Sequence, residues 1–462
     1  MAPVALAERL FKLRENETTL KTEILGGATT FITMAYIIVV NPAILSFAGI
    51  PSGPSTVATI LAAAFGSILM GLYANRPIAV APYMGENAFI AFGLAAMGIG
   101  WQQRLGTVFI SGLVFVVITL LRVRSWLANS ISTSLKHSFA VGIGLFLSFI
   151  GLYETGIVTS SVAGMAPAAL LRGGATVLSA PDVPVKIGNL RSPQVLLAVF
   201  GFLLISFFLH RRVRGGILLG IAATSILGYA LGLGKSPEAV AALPFVGKYD
   251  LAAVAFKLDI AGVLKLSFLP ILLTLFLMSF LDTLGTLVGV GAAGKMIDEK
   301  GNFPNIERPM MVDAASCMFS ALAGTSTSGA YIESATGIRE GARTGLAAVT
   351  TGALFVVSLF FIPLIEPLQQ LRYAYGPALI AVGVLMMSSV VKIDFADLTE
   401  LVPAFATIVM MVFTYNIANG LTAGLVLHPL FKLAAGRVRE VNGGSVVLAI
   451  LCLVYYVFGL PH

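Results

Sequence analysis

Apolar runs near twenty residues long recur along the whole chain, separated by short polar stretches. That is the pattern bilayer-spanning helices require. The first half predicts spans at 24–46, 56–74, 78–97, 105–121, 135–156, 194–210 and 214–233. The second half predicts 262–291, 309–323, 326–341, 342–362, 376–391, 399–415 and 417–435, with a further apolar run at 445–460. They are numbered spans 1 to 14 in chain order. The third of each half departs from the pattern: AVAPYMGENAFIAFGLAAMG is span 3 and AGTSTSGAYIESATGI is span 10. Both are too polar, too short and too rich in glycine for an ordinary span. Non-helical backbone at membrane depth survives only where protein or a cavity covers it. Interrupted segments at matching places in two halves point to a transporter binding site. Pro82 and Gly85 are therefore expected to break the helix of span 3. The broken end would present backbone amides, Glu86 and Asn87 to a site at the membrane midplane.

Length alone would suggest several domains, but 57% of the 462 residues are apolar and only 11% are charged. The fold class is an all-α polytopic membrane protein without a sizeable soluble domain. Loop charge tests the span count. With the N-terminus inside, the inner loops and ends hold 20 of the 29 Lys and Arg. They include Arg76, Arg122, Arg124, Lys136, Arg211, Arg212, Arg214, Lys295, Lys300, Arg308, Arg339, Arg343 and Lys392. This asymmetry predicts fourteen crossings with both termini cytoplasmic. The final run reads as a helix packed along the surface rather than an extra crossing. Residues 1–23 lack the pattern of a cleaved signal peptide. Leu6, Leu10 and Leu13 give them the spacing of a short amphipathic helix on the membrane surface. The long outer segments 157–193 and 234–261 read as lids or connectors. Cys317 and Cys452 sit in apolar runs and read as core residues, with no disulfide, metal or cofactor implied. The net charge of +7 is scattered over loops and does not indicate nucleic acid.

Ionisable residues inside spans are costly unless they face a cavity or a partner. Glu86 lies in span 3, Asp282 in the apolar LFLMSFLDTLGTLVGV of span 8, and Glu333 in GAYIESATG of span 10. Glu154 sits near a span end and reads as interfacial. Each has a structural alternative: Glu86 and Glu333 as helix caps, Asp282 as a partner for neighbouring hydroxyls. Thr286 falls one turn after Asp282 on the same helix face. Thr325, Ser326, Thr327, Ser328 and the Thr29, Thr30, Thr33 group surround the acids, though small residues also ease helix packing. No Lys or Arg shares this depth, which argues against a permanently anionic cargo. Carboxylates accept from ring N–H groups while backbone amides donate to ring carbonyls, so the set suits a flat, neutral, hydrogen-bonding molecule. A carboxylate in a low-dielectric site also holds its proton more tightly, the physical basis for proton coupling. The four His lie at span ends or termini.

TTFITMAYIIVVNPAIL in span 1, APYMGENAFIAFG in span 3, SFLDTLGTLVGV in span 8 and STSGAYIESATGIREGARTGL in span 10 resemble the AzgA-like purine permeases. These belong to the nucleobase–cation symporter family that includes the uracil and xanthine permeases. The resemblance covers nearly the whole chain. It implies a seven-plus-seven inverted repeat with short extended stretches and half-helices in spans 3 and 10. It further implies a cytoplasmic segment (1–23), a core (24–134 and 262–362) and a gate (135–261 and 363–462). By motif position Asp282 and Glu333 would hold the base. The expected substrate set is Asp282, Glu333, Glu86, Asn87, Ala88, Phe89, Thr286, Ala330, Tyr331, Ser334 and Thr33, with Asp282, Glu333 and Glu86 coupling protons. Two positions depart from the family. Thr286 stands where uracil permeases carry a His, and Glu86 stands where an apolar residue often precedes the Asn.

The expectation is a secondary transporter importing a nucleobase, most readily adenine, guanine or hypoxanthine, by alternating access in a bacterial inner membrane. Sodium stays open as the coupling ion, and dimerisation through the gate is a family trait. A uracil or xanthine permease is the alternative within the family. An anion transporter of the same plan conflicts with three acids and no base. A channel conflicts with polar residues gathered at one depth. An enzyme would need a nucleophile elbow or a metal motif, and none is present.

Overall fold

The computed structural model describes residues 2–121, 130–160, 185–294, 296, 303 and 305–458. Arg122, Arg124, Lys295 and Lys300, residues 161–184 of the outer segment, and the end of the terminal run lie outside them. Nine helices among the described residues are long and apolar enough to cross a membrane. They are spans 1, 2, 4, 5, 6, 8, 11, 12 and 14. Spans 7 (Gly216–Ala230) and 13 (Leu398–Phe413) are shorter apolar helices, and span 9 is Glu307–Ala323. Spans 3 and 10 are broken, as their sequences predict.

Packing relates the two halves. Span 4 lies on span 9 and span 2 on span 11, one relation seen from each half. The same exchange converts the span 6–7 pair into 13–14, and the span 6–12 pair into 13–5. Span 5 packs on its own counterpart, span 12. In span 3, β1 (Val80–Pro82) pairs with β4 (Ser328–Ala330) of span 10. The pairing is antiparallel, with Val80 opposite Ala330, Ala81 opposite Gly329 and Pro82 opposite Ser328. An antiparallel pair formed by matching segments is what an inverted repeat requires at its centre. The other strands, β2 (Val158–Ser160) and β3 (Val185–Ile187), form a ribbon in the first outer segment.

Several edges differ from the apolar runs for local reasons. Span 1 begins at Leu20, ahead of its apolar run. Glu23 is fully buried there and accepts the Arg343 amide at 2.7 Å and the Thr344 amide at 3.2 Å, capping the start of span 11. Near its middle, span 1 divides into helices Leu20–Met34 and Ile37–Phe47. The N-terminal helix Ala2–Phe11 forms as the leucine spacing predicts, and two of the spaced leucines differ in setting. Ala7, Phe11 and Leu13 are buried against Leu20, Leu346 and Val349, while Leu10 faces outward. The terminal helix Gly443–Phe458 packs against spans 14 and 8.

Candidate functional site

The paired strands are held on both outer edges because a buried backbone polar group needs a partner. Span 2 supplies Ser67, whose hydroxyl donates to the Val80 carbonyl at 3.0 Å and accepts the Val80 amide at 2.9 Å. Span 9 supplies Asp313, which accepts the Ala330 amide at 2.9 Å, and Cys317, which donates to the Ser328 carbonyl at 3.0 Å. Gly329 fits between because a Cβ there would lie 2.1 Å from the Tyr83 hydroxyl. Beyond the strands the chain turns helical at Met84–Ala88 and at Ser334–Arg339. Pro82 ends β1, as expected of a residue with no N–H to give. Gly85 is not a breaker: it sits inside the half-helix, where a Cβ would meet Ile143 of span 5 at 2.6 Å. Its absent side chain lets span 5 approach closely.

Four carboxylates surround this crossing, in two settings. Asp282 and Glu333 are partly accessible. The Tyr36 hydroxyl donates to Glu333 Oε1 at 2.8 Å. Near this pair, Ile332 is 63% exposed, and the Cα of Gly285 faces open space. Glu86 and Asp313 are sealed, at 1% and 0% exposure. Thr327 donates to Glu86 Oε2. Tyr83 donates to Asp313 Oδ2 at 3.4 Å and its hydroxyl lies 3.0 Å from that of Thr283. The charge of Asp282 acts on Glu86, Asp313, Tyr83 and Tyr331, and that of Glu333 acts on Asp282. Among the described residues, no Lys, Arg or His forms an ion pair with any of the four.

The candidate residues fall around this frame in different ways. Thr286, on the Asp282 helix, is nearly buried. Tyr331 lies parallel to Tyr83, ring centroids 6.4 Å apart, and donates to the Pro82 carbonyl at 2.5 Å. Its amide bonds the Ala79 carbonyl and the Ala330 amide is taken by Asp313, so neither is free. The Phe89 amide is likewise committed, to the Gly85 and Glu86 carbonyls. In the two half-helix starts, the amides of Met84, Gly85, Glu86 and Ile332 have no acceptor among the described residues. Ser334 accepts the Ala79 amide at 3.0 Å, a contact that joins the two broken spans. Thr33 touches Thr336 at 3.2 Å, and Asn87 donates to the Asn41 carbonyl at 3.3 Å. Ala88 and Phe89 are buried in the half-helix. Glu154 stands apart, 3.4 Å from Arg372, beside an outer cavity of about 340 Å³.

Asp313, Tyr36 and Asn41 are the additions that sequence reasoning missed. Asp313 had a signal, an acid within the MMVDAASCMF of span 9. Asn41 had one too, an amide within IIVVNPAIL; it donates to Thr59 at 2.8 Å and Thr325 at 2.9 Å. Tyr36 had none, because a tyrosine in an apolar run does not reveal its partner.

Two half-helices, each starting from one of two paired antiparallel strands and ringed by acids inside a helical bundle, define a polytopic membrane transport protein. The Permease family model Xan_ur_permease matches residues 21–422, and the chain belongs to that family. It is 40% identical to the adenine permease AdeP of Escherichia coli K12, over 99% of this chain and 97% of that one. It is 37% identical to the guanine/hypoxanthine permease PbuG of Bacillus subtilis 168, over 97% of this chain and 99% of that one. Among solved structures, the transmembrane domain of the cyanobacterial bicarbonate transporter BicA matches with a TM-score of 0.62. That likeness covers 88% of this chain and 97% of the other at 16% identity, and it speaks for the fold alone.

Proposed function

We propose that this permease imports a purine base together with a proton, binding the base against Asp282 and Glu333 at the start of the span 10 half-helix. The observation that carries the reading is the pair of partly accessible carboxylates that have no basic partner among the described residues, beside the Ile332 amide, which has no acceptor among them. Carboxylates accept ring N–H donors and an amide serves a ring acceptor. The substrate class follows from the relatives, which include adenine and guanine/hypoxanthine permeases. A site lined by acids is a poor host for an anion, so the bicarbonate cargo of the structural neighbour is not carried over.

Spans 1–4 and 8–11 act in this reading as a core, and spans 5–7 and 12–14 as a gate. Base and proton bind the core, which then shifts against the gate and exposes the site to each side in turn. The excess of Lys and Arg in the loops assigned inside supports cytoplasmic termini. Residues further back act by holding the site together, Ser334 by joining the two broken spans and Thr33 by tying span 1 to span 10.

The test is uptake of radiolabelled adenine, guanine, hypoxanthine, xanthine and uracil into cells lacking their own permeases, at two external pH values and with a protonophore. Purine uptake that collapses with the protonophore, and in Asp282→Asn and Glu333→Gln, is the expected result. Uptake of none of the bases by a correctly inserted protein would overturn the reading.

A further inference from the structure

We propose that Glu86 and Asp313 form a second, sealed cation site behind the paired strands, which takes the coupling proton while Asp282 and Glu333 in front take the base. The inference rests on the base-transport reading and divides its labour between two tiers. The accessibility difference is the first support: the front acids are partly open and the rear acids are closed off.

The second support is a set of unmatched atoms. Among the described residues, Glu86 Oε1 and Asp313 Oδ1 are buried with no hydrogen-bond partner, as are the Ser279 hydroxyl of span 8, which lies close to the Glu86 carboxyl, and the Ser316 hydroxyl of span 9. Buried polar atoms in a folded protein are nearly always paired. A carboxylate oxygen left without a donor is satisfied by taking up a proton or a hard monovalent cation, for which oxygen ligands are suited. The partners already present do not fill this need. Thr327 occupies the other oxygen of Glu86, and the Ala330 amide and Tyr83 occupy the other oxygen of Asp313.

The groups facing the rear pair are Tyr83 from span 3, Asp282 from span 8, Cys317 from span 9 and Tyr331 from span 10. None of these carries positive charge near neutrality. Among the described residues, the neighbour whose charge acts on both rear acids is therefore another carboxylate, Asp282, and like charges in a low dielectric repel. That repulsion supplies the coupling. A proton on the rear pair removes negative charge from behind Asp282, so the front pair can stay ionised and accept the ring N–H groups of the base. A bound base stabilises the negative front pair, which makes the rear pair hold its proton more firmly. The two effects are one coupling free energy seen from each ligand. Tyr83 links the tiers, since its hydroxyl touches both Asp313 and Thr283, the neighbour of Asp282. The repeat underlines the asymmetry. The strand edge held in the first half by neutral Ser67 is held in the second by an acid.

The experiment uses purified full-length protein in proteoliposomes. Three quantities are read for wild type, Glu86→Gln and Asp313→Asn: accumulation of purine driven by a pH gradient, base-for-base exchange without a gradient, and base affinity across pH. Driven accumulation is expected to fall at least tenfold more than exchange in either variant, and the pH dependence of affinity to flatten. Variants that keep the wild-type pH dependence while exchange weakens in step with accumulation would overturn the proposal and return these acids to the base site or to packing. A sodium gradient that drives accumulation where a proton gradient does not would overturn the proton assignment in favour of sodium. If Asp313→Asn fails to fold, Glu86→Gln decides alone. If the wild type moves no base, the base reading falls. The rear site is then judged by the infrared band of protonated carboxyl groups, which each variant must diminish for the site to stand.

Discussion

Tyr36 steers one oxygen of Glu333 through a 2.8 Å hydrogen bond. A donor to a carboxylate is worth about 1.5–3 kcal/mol, and the bond fixes where the second oxygen points. Tyr36→Phe is expected to raise the KM for the preferred purine about tenfold or more, by the conversion of about 1.4 kcal/mol per decade. Insertion and melting temperature should change little, since the ring stays. Steady-state uptake across substrate concentration checks this, and an unchanged KM would mean that Glu333 is oriented without Tyr36. Such partnerships mark the limit of what single residues disclose. Asp282, Glu333 and Glu86 could be singled out because an acid in an apolar run stands out against its neighbours. Asp313 stands out on the same grounds, but it occupies a helix that also holds Glu307 and three serines or cysteines, so the contrast is weaker. Whether an acid faces the cavity or the rear of the strands depends on the partner chain segment. Thr327 lies 241 positions from Glu86, and no local pattern carries that information.

At the scale of elements, the broken spans were legible because composition and glycine content depart from the span pattern at matching places. Their antiparallel strand pairing was not, because strands of three residues fall below any periodicity signal. Gly85 shows the ambiguity of a glycine in sequence: it reads as a breaker, yet its role is to admit Ile143. The inner ends of spans 13 and 14 carry a charged cluster that also escaped the sequence. Buried Lys432 reaches Glu400 at 3.0 Å and Glu440 at 2.7 Å, and Arg437 reaches Asp397 at 2.5 Å. Asp397 caps span 13. Hydrogen bonds from the Thr399 side chain and amide, then the Arg437 contact, hold its carboxyl well below the usual carboxylate range. A value depressed in the folded state gives stability that is present above the unfolded value and lost as pH falls through the folded one. Asp397→Asn should therefore lower the melting temperature at neutral pH, and the difference from wild type should vanish in strong acid. Thermal unfolding in detergent at stepped pH measures both. A difference that persists unchanged into acid would show that the cap works through shape rather than charge.

For the molecule as a whole, the proposed motion must open contacts that the structure makes between the spans assigned to the proposed core and those assigned to the proposed gate. Two such contacts lie toward the assigned outer face. Phe92 of span 3 meets Tyr415, between spans 13 and 14, edge to face with ring centroids 5.9 Å apart. Arg372, at the start of span 12, lies over the Phe47 ring at the end of span 1, 5.2 Å from its centroid. Gly85 and Ile143 form a third contact deeper in. Edge-to-face and cation–π pairs are each worth about 0.5–1.5 kcal/mol, strong enough to favour a closed outer side and weak enough to break in every cycle. Joining them covalently should stop that cycle. Phe92→Cys combined with Tyr415→Cys is expected to give a variant that transports when reduced, loses uptake on oxidation and recovers with a thiol reductant. Cys317 and Cys452 are buried and free, so they do not compete for the cross-link. Base binding from the inner side should survive in the oxidised form, because the carboxylates are untouched. A cross-linked protein that still takes up base at the reduced rate would show that spans 3 and 13–14 move together, and the division between core and gate would have to be drawn elsewhere.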